Sequence, residues 1–184
     1  MKKRVIACVA FIIASVLTSG IFGEQTIYAA TDNFTITNFA VDMELGRDSD
    51  GRSTLRTIET ITANFPLTDE NHGLERIMVK SYDGHKTSFK LDSVTDENDK
   101  NLPYHWEGDA LRIGDADTYV HGLNTYKITY TQRDVTKHYE DTYKDEFYWD
   151  AIGVEWRVPI EQASVRLTVA PELRPETGGA SLQC

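Results

Sequence analysis

The sequence predicts an all-β fold, an antiparallel β-sandwich of the immunoglobulin-like or jelly-roll-like kind, preceded by a signal peptide. Three observations carry this. Apolar and polar residues alternate at period two in several short runs. Clusters of Asn, Asp and Gly separate those runs at turn spacing. No long stretch places its apolar residues at helical spacing.

The leader comes first. Met1-Lys2-Lys3-Arg4 is basic, and Val5 to Gly23 carries no charge. The apolar run partitions into the bilayer while the basic end stays on the cytoplasmic side. Residues 1–30 therefore read as a signal peptide. The residues three back from a cut after Ala30 or Ala29 are Tyr28 and Ile27, bulkier than usual, so an uncleaved anchor stays open.

The rest reads as one exported domain over residues 31–173. Without the leader's three basic residues and Glu24 the chain keeps 16 basic and 28 acidic residues, a formal charge of −12. Such a chain repels nucleic acid and anionic lipid surfaces, which argues against both as partners. Cys184 is its only cysteine, so no disulfide staples it and the core must hold alone.

The strand signals follow in chain order. Residues 38–45 (NFAVDMEL) put Phe39, Val41, Met43 and Leu45 on one face of a strand expected over 34–45. Thr54–Phe65 is rich in β-branched residues, with apolar residues on both parities. Further strands are expected over 75–82, 86–94, 110–114, 124–133 and 163–170, and a short one near 154–158. Asp50-Gly51 and Asp83-Gly84 are hairpin signals. Residues 141–149 offer room for a single helical turn. Residues 174–184, polar and following two prolines, read as the start of a linker cut short.

Candidate chemistry concentrates in residues 145–160, DEFYWDAIGVEWRVPI. Asp145, Glu146, Asp150 and Glu155 supply carboxylates, and a glycosidase needs two across a cleft. An acidic chain scatters such pairs, so a solvated face explains them too. Tyr139, Tyr143, Trp149 and Trp156 suit a stacking platform for sugar rings, or core anchors. Trp149 and Trp156 flank Gly153 and read as anchors facing inward that pin two layers of sheet. Glu155 and Arg157 then alternate outward, and Pro159 ends the strand. Arg76 is a candidate partner for Asp145, Glu146 or Glu155. The five histidines are scattered without ligand spacing, and neither Asp48-Ser49-Asp50-Gly51 nor Asp115-Ala116-Asp117 continues as a calcium loop, so no metal or cofactor is expected. No nucleophile elbow or phosphate loop is present.

With these residues in view, a family emerges. The run from Asp145 through Tyr148-Trp149, Gly153, Glu155-Trp156 and Pro159-Ile160 to Pro171 resembles the signature end of an extracytoplasmic domain in bacterial predicted membrane proteins (domain-of-unknown-function family 2207, the YciQ-like proteins). His72 to Ile77 and Tyr126 to Tyr130 are similar to two further segments of that family. The resemblance implies an exported β-sandwich followed by membrane helices. It brings no activity and no catalytic residue.

The expected function is thus a non-enzymatic binding or structural module at the bacterial cell envelope, outside the cytoplasmic membrane or secreted. Its partner would be a cell-wall polymer or another envelope protein, and its membrane link a signal anchor or C-terminal helices. Candidate binding residues are Arg76, Tyr139, Tyr143, Asp145, Glu146, Trp149, Glu155 and Trp156. The rival reading is a glycan-active enzyme using Glu146 or Glu155.

Overall fold

The computed structural model describes residues 32–82 and 84–173. The signal peptide and the polar tail fall outside the described residues. Twelve strands form in chain order: β1 (Thr35–Arg47), β2 (Ser53–Phe65), β3 (Gly73–Ile77), β4 (Ser81–Tyr82), β5 (His85–Lys86), β6 (Lys90–Thr95), β7 (Tyr104–Glu107), β8 (Ala110–Gly114), β9 (Gly122–Arg133), β10 (Lys137–Tyr139), β11 (Lys144–Glu146) and β12 (Ala163–Val169). A short 3-10 turn, Pro171–Leu173, follows.

A five-stranded sheet ordered β12-β1-β2-β9-β6 faces a three-stranded sheet ordered β3-β8-β7, and β4-β5 and β10-β11 are separate hairpins. The all-β sandwich expected from the sequence is what forms. Pairing is antiparallel with one exception. β12 runs parallel to β1, Val41 opposite Val165 and Leu45 opposite Val169. The chain prepares this pairing by docking on β1 before β12 begins: Ile36 N–H donates to Pro159 O, and Phe39 N–H to Gln162 O. A parallel partner needs a long return path, which period-two alternation does not reveal.

Between the sheets, the core face of β2 carries Leu55, Thr57, Glu59, Ile61, Ala63 and Phe65, all buried. Val41, Met43 and Leu45 of β1 and Tyr126, Ile128 and Tyr130 of β9 extend it. Leu74, Arg76, Leu111 and Ile113 come down from the smaller sheet. Removing this apolar surface from water is the main drive to fold. Thr57 and Glu59 are polar inward positions, and Ile58, half-buried on the opposite face, is what put apolar residues of β2 on both parities.

The structure corrects four expectations. Residues 154–158 form no strand but an extended loop after Gly153, whose φ is +80°. Residues 141–149 hold no helical turn. They belong to the β10–β11 hairpin and the chain after it, with His138 opposite Asp145 and Tyr139 opposite Lys144. The expected strand 75–82 breaks at Met78 into β3 and β4. The strand expected over 86–94 is interrupted between Lys86 of β5 and Lys90 of β6, where Thr87 turns inward and its hydroxyl takes a hydrogen bond from Gln132 Nε2 at 2.6 Å. β7 was not anticipated; Gly108, at φ +61°, turns it back onto β8.

Candidate functional site

Glu59 lies mid-strand on β2 with its side chain fully buried. A buried carboxylate is costly unless its oxygens find strong donors. Here they find three. Arg76 Nε donates to Oε2 at 2.8 Å, Arg76 Nη2 to Oε1 at 2.9 Å, and the Tyr130 hydroxyl to Oε1 at 2.9 Å. The two arginine bonds make a bidentate pair, the geometry a guanidinium matches best. Burial works against the Arg76 charge, but the charge and hydrogen bonds of Glu59 outweigh it and hold the guanidinium above its ordinary pKa. Burial, followed by the neighbouring Glu59 charge, pushes the Tyr130 phenol well above its usual range.

Aromatic rings hold the guanidinium. Its carbon sits 5.5 Å from the Phe39 ring centre and 5.4 Å from that of Trp156, and those two rings meet edge to face at 5.6 Å. The Trp156 Nε1–H donates to Ile152 O at 2.9 Å, which fixes the indole. Gly153 closes the arrangement. A Cβ there would stand 2.8 Å from Arg76 Nη1, so the loop comes this near only because position 153 is glycine.

An open cleft of about 620 Å³ begins at this cluster. Its floor is the outer face of the three-stranded sheet, and one wall is the 155–158 loop. Arg112 organises the floor. It donates from Nε to Glu75 at 2.8 Å and pairs through Nη1 with Glu107 at 2.8 Å. Arg157, on the wall, pairs with Asp32 at 3.0 Å. At one end Gly73 and Gly114 face each other with φ of +143° and +139°. A Cβ on either would collide with backbone oxygen at 1.9 Å.

The eight expected site residues separate. Arg76, Glu155 and Trp156 line the cleft. Tyr139, Tyr143, Asp145 and Glu146 lie on the β10–β11 hairpin and are not part of it. There Asp145 pairs with His138 Nδ1 at 2.8 Å, and Tyr143 is 87% exposed. Trp149 is half-buried, stacked on Phe147 at 6.1 Å and near Tyr82. Three corrections follow. Arg76 takes Glu59 as its partner, not Asp145, Glu146 or Glu155. The buried link between the layers is that ion pair, and both tryptophans pack against the core only partly buried, Trp156 on the guanidinium and Trp149 beside Phe147 and Tyr82. Glu146 and Glu155 do not share the cleft. The turn acids cap their own loops: Asp48 Oδ1 accepts from Asp50 N–H and Arg52 N–H, and Asp115 Oδ1 from Asp117 N–H.

Sequence reasoning missed Glu59, Tyr130 and Arg112. The usable signal for Glu59 was its parity, an acid on the face that otherwise carries Leu55, Ile61 and Phe65.

Compared with known proteins, residues 35–181 match the family described as "Predicted membrane protein (DUF2207) N-terminal domain". No curated protein matches the chain. Among solved structures it is similar to the M1 zinc metallopeptidase from Deinococcus radiodurans. An E323A mutant bound to a Tyr-Ser-Ala substrate gives 10% identity and a TM-score of 0.45, over 74% of this chain and 33% of that one. A two-domain M1 zinc metallopeptidase E323A mutant bound to L-arginine gives 11% identity and a TM-score of 0.40, over 76% and 33%. The chain thus spans a third or less of the structures it matches.

Proposed function

Because the chain belongs to the DUF2207 family of predicted membrane proteins, as their N-terminal domain, we propose that it is a non-enzymatic binding module at the bacterial cell envelope. It is exported to the outer side of the cytoplasmic membrane, and its cleft takes a wall polymer or a segment of another envelope protein. One observation carries this reading. The cleft is open and of ligand size, yet its acids are largely engaged. Glu75 and Glu107 both serve Arg112, and Asp32 serves Arg157. Sites of roughly 300–1,000 Å³ are usual for ligands. A glycosidase would need one acid free to donate a proton and another to receive one, whereas these carboxylates are built into the floor and wall as acceptors.

The test is co-sedimentation and pull-down of the exported chain with purified wall polymer and with solubilised envelope protein. Saturable retention, lost in Glu155→Lys and kept in Tyr143→Ala, is the expected result, with no new reducing ends or amines released. Turnover abolished by Glu155→Gln would replace this reading with the enzymatic one. Retention unchanged by Glu155→Lys would remove the cleft from it.

A further inference from the structure

The free edge of β3 runs along the cleft. β3 pairs with β8 on one side and, among the described residues, with no strand on the other. Antiparallel ladders alternate: every second residue bonds to its partner strand, and those between point their N–H and C=O the opposite way. Met78 N–H donates to Asp109 O at 2.9 Å, continuing the register that sets Arg76 against Leu111 and Leu74 against Ile113. The residues bonded to β8 are therefore the even ones. Gly73, Glu75 and Ile77 turn their backbone groups outward, and among the described residues none of them has another backbone partner. Those three residues and the 155–158 loop line the same cleft. Natural sheets blunt such edges or cover them, since a bare edge is a template for another strand.

The charge around this edge is one-sided. Asp32, Glu70, Glu75, Glu107, Asp115 and Glu155 line the cleft against Arg76, Arg112 and Arg157. The charge of Arg76 is already matched by Glu59, which lies beneath the cleft in the core.

Resting on the reading of this cleft as a binding site, we propose that its occupant is an extended, basic polypeptide segment that adds to β3 as a further strand. Backbone bonds to Gly73, Glu75 and Ile77 supply the affinity, and Lys or Arg side chains at alternate positions meet the acidic charge the cleft holds in excess of Arg112 and Arg157, with Glu155 on its wall as the carboxylate tested. The close Gly73–Gly114 approach removes side chains at one end and leaves room for the incoming backbone.

The experiment uses the exported chain and an end-capped octapeptide alternating lysine and valine, with two controls: the same peptide N-methylated at alternate amides, and its glutamate counterpart. Binding is followed by intrinsic tryptophan fluorescence and by amide hydrogen exchange. The parent peptide is expected to bind and slow exchange at Gly73, Glu75 and Ile77. N-methylation should weaken it about tenfold, the scale of one or two backbone hydrogen bonds. Glu155→Lys should weaken it as well, and added salt should do the same. Equal binding of the N-methylated peptide, preference for the glutamate peptide, or no protection along β3 would each overturn strand addition. If envelope material still bound in a Glu155-dependent way, the binding-module reading would stand without it; if that dependence failed too, both would fall.

Discussion

Glu59 and Arg76 meet across the interface of the two sheets, 17 positions apart in the chain, through two hydrogen bonds of 2.8 and 2.9 Å. Each is an ion that the core tolerates only because of the other. Breaking a buried pair from one side costs about 3–5 kcal/mol, since a bare charge stays behind. Arg76→Met is expected to lose that much in urea unfolding. Glu59→Leu with Arg76→Met should recover most of it. A single variant as stable as wild type would show that the pair is not holding the layers together.

Gly153 combines two constraints, a positive φ and the approach to Arg76 Nη1. Gly51 has nearly the same φ, +79°, but open space around it. Gly51→Ala therefore reports the backbone strain alone, about 1 kcal/mol. Gly153→Ala should cost more, by roughly another 1–2 kcal/mol of overpacking, with a change in tryptophan emission. Equal melting shifts for the two variants would mean the guanidinium yields freely.

Alkaline pH tests the buried phenols. Burial raises Tyr126, and burial together with Glu59 raises Tyr130. In the unfolded chain both ionise near pH 10. A raised folded pKa means full stability below that point and loss as pH climbs from it toward the folded values. Unfolding free energy should fall above about pH 10, and less steeply in Tyr130→Phe. Phenolate absorbance of the native protein should show two tyrosines titrating late.

Tyr143 holds a φ of +50° at the tip of the β10–β11 hairpin and is almost fully exposed. Tyr143→Gly should be neutral or stabilise by up to about 1 kcal/mol, since glycine adopts that conformation without strain. Binding at the cleft should not change. A loss of binding would make the hairpin part of the site.

Much of the architecture was legible because alternation and turn residues report it directly. β1, β2, β8, β9 and β12 lie where period two or a β-rich run placed them, within a few residues. The parallel docking of β12 was not legible, because register between distant strands leaves no local mark. The site was half legible. Trp156 and Glu155 stood out by composition, and Arg76 was rightly marked as needing an acid. Its partner was sought among neighbours of the tryptophans, whereas the real one sits on a strand where Thr and Glu replace apolar residues facing the core. An ion pair that spans two sheets is written in no single stretch of sequence.

The parallel alliance of first and last strands bears on mechanics. Tension drawn between the start of β1 and the end of β12 pulls the two strands lengthwise past one another, so the seven matched positions from Phe39–Ala163 to Leu45–Val169 share the load at once. Tension drawn between the start of β6 and the end of β9, which lie side by side, would instead peel an antiparallel pair one rung at a time. A pull on both ends of the domain would thus load all seven positions together and not one at a time. Single-molecule stretching along the two axes, with higher rupture force for the end-to-end pull, measures that difference.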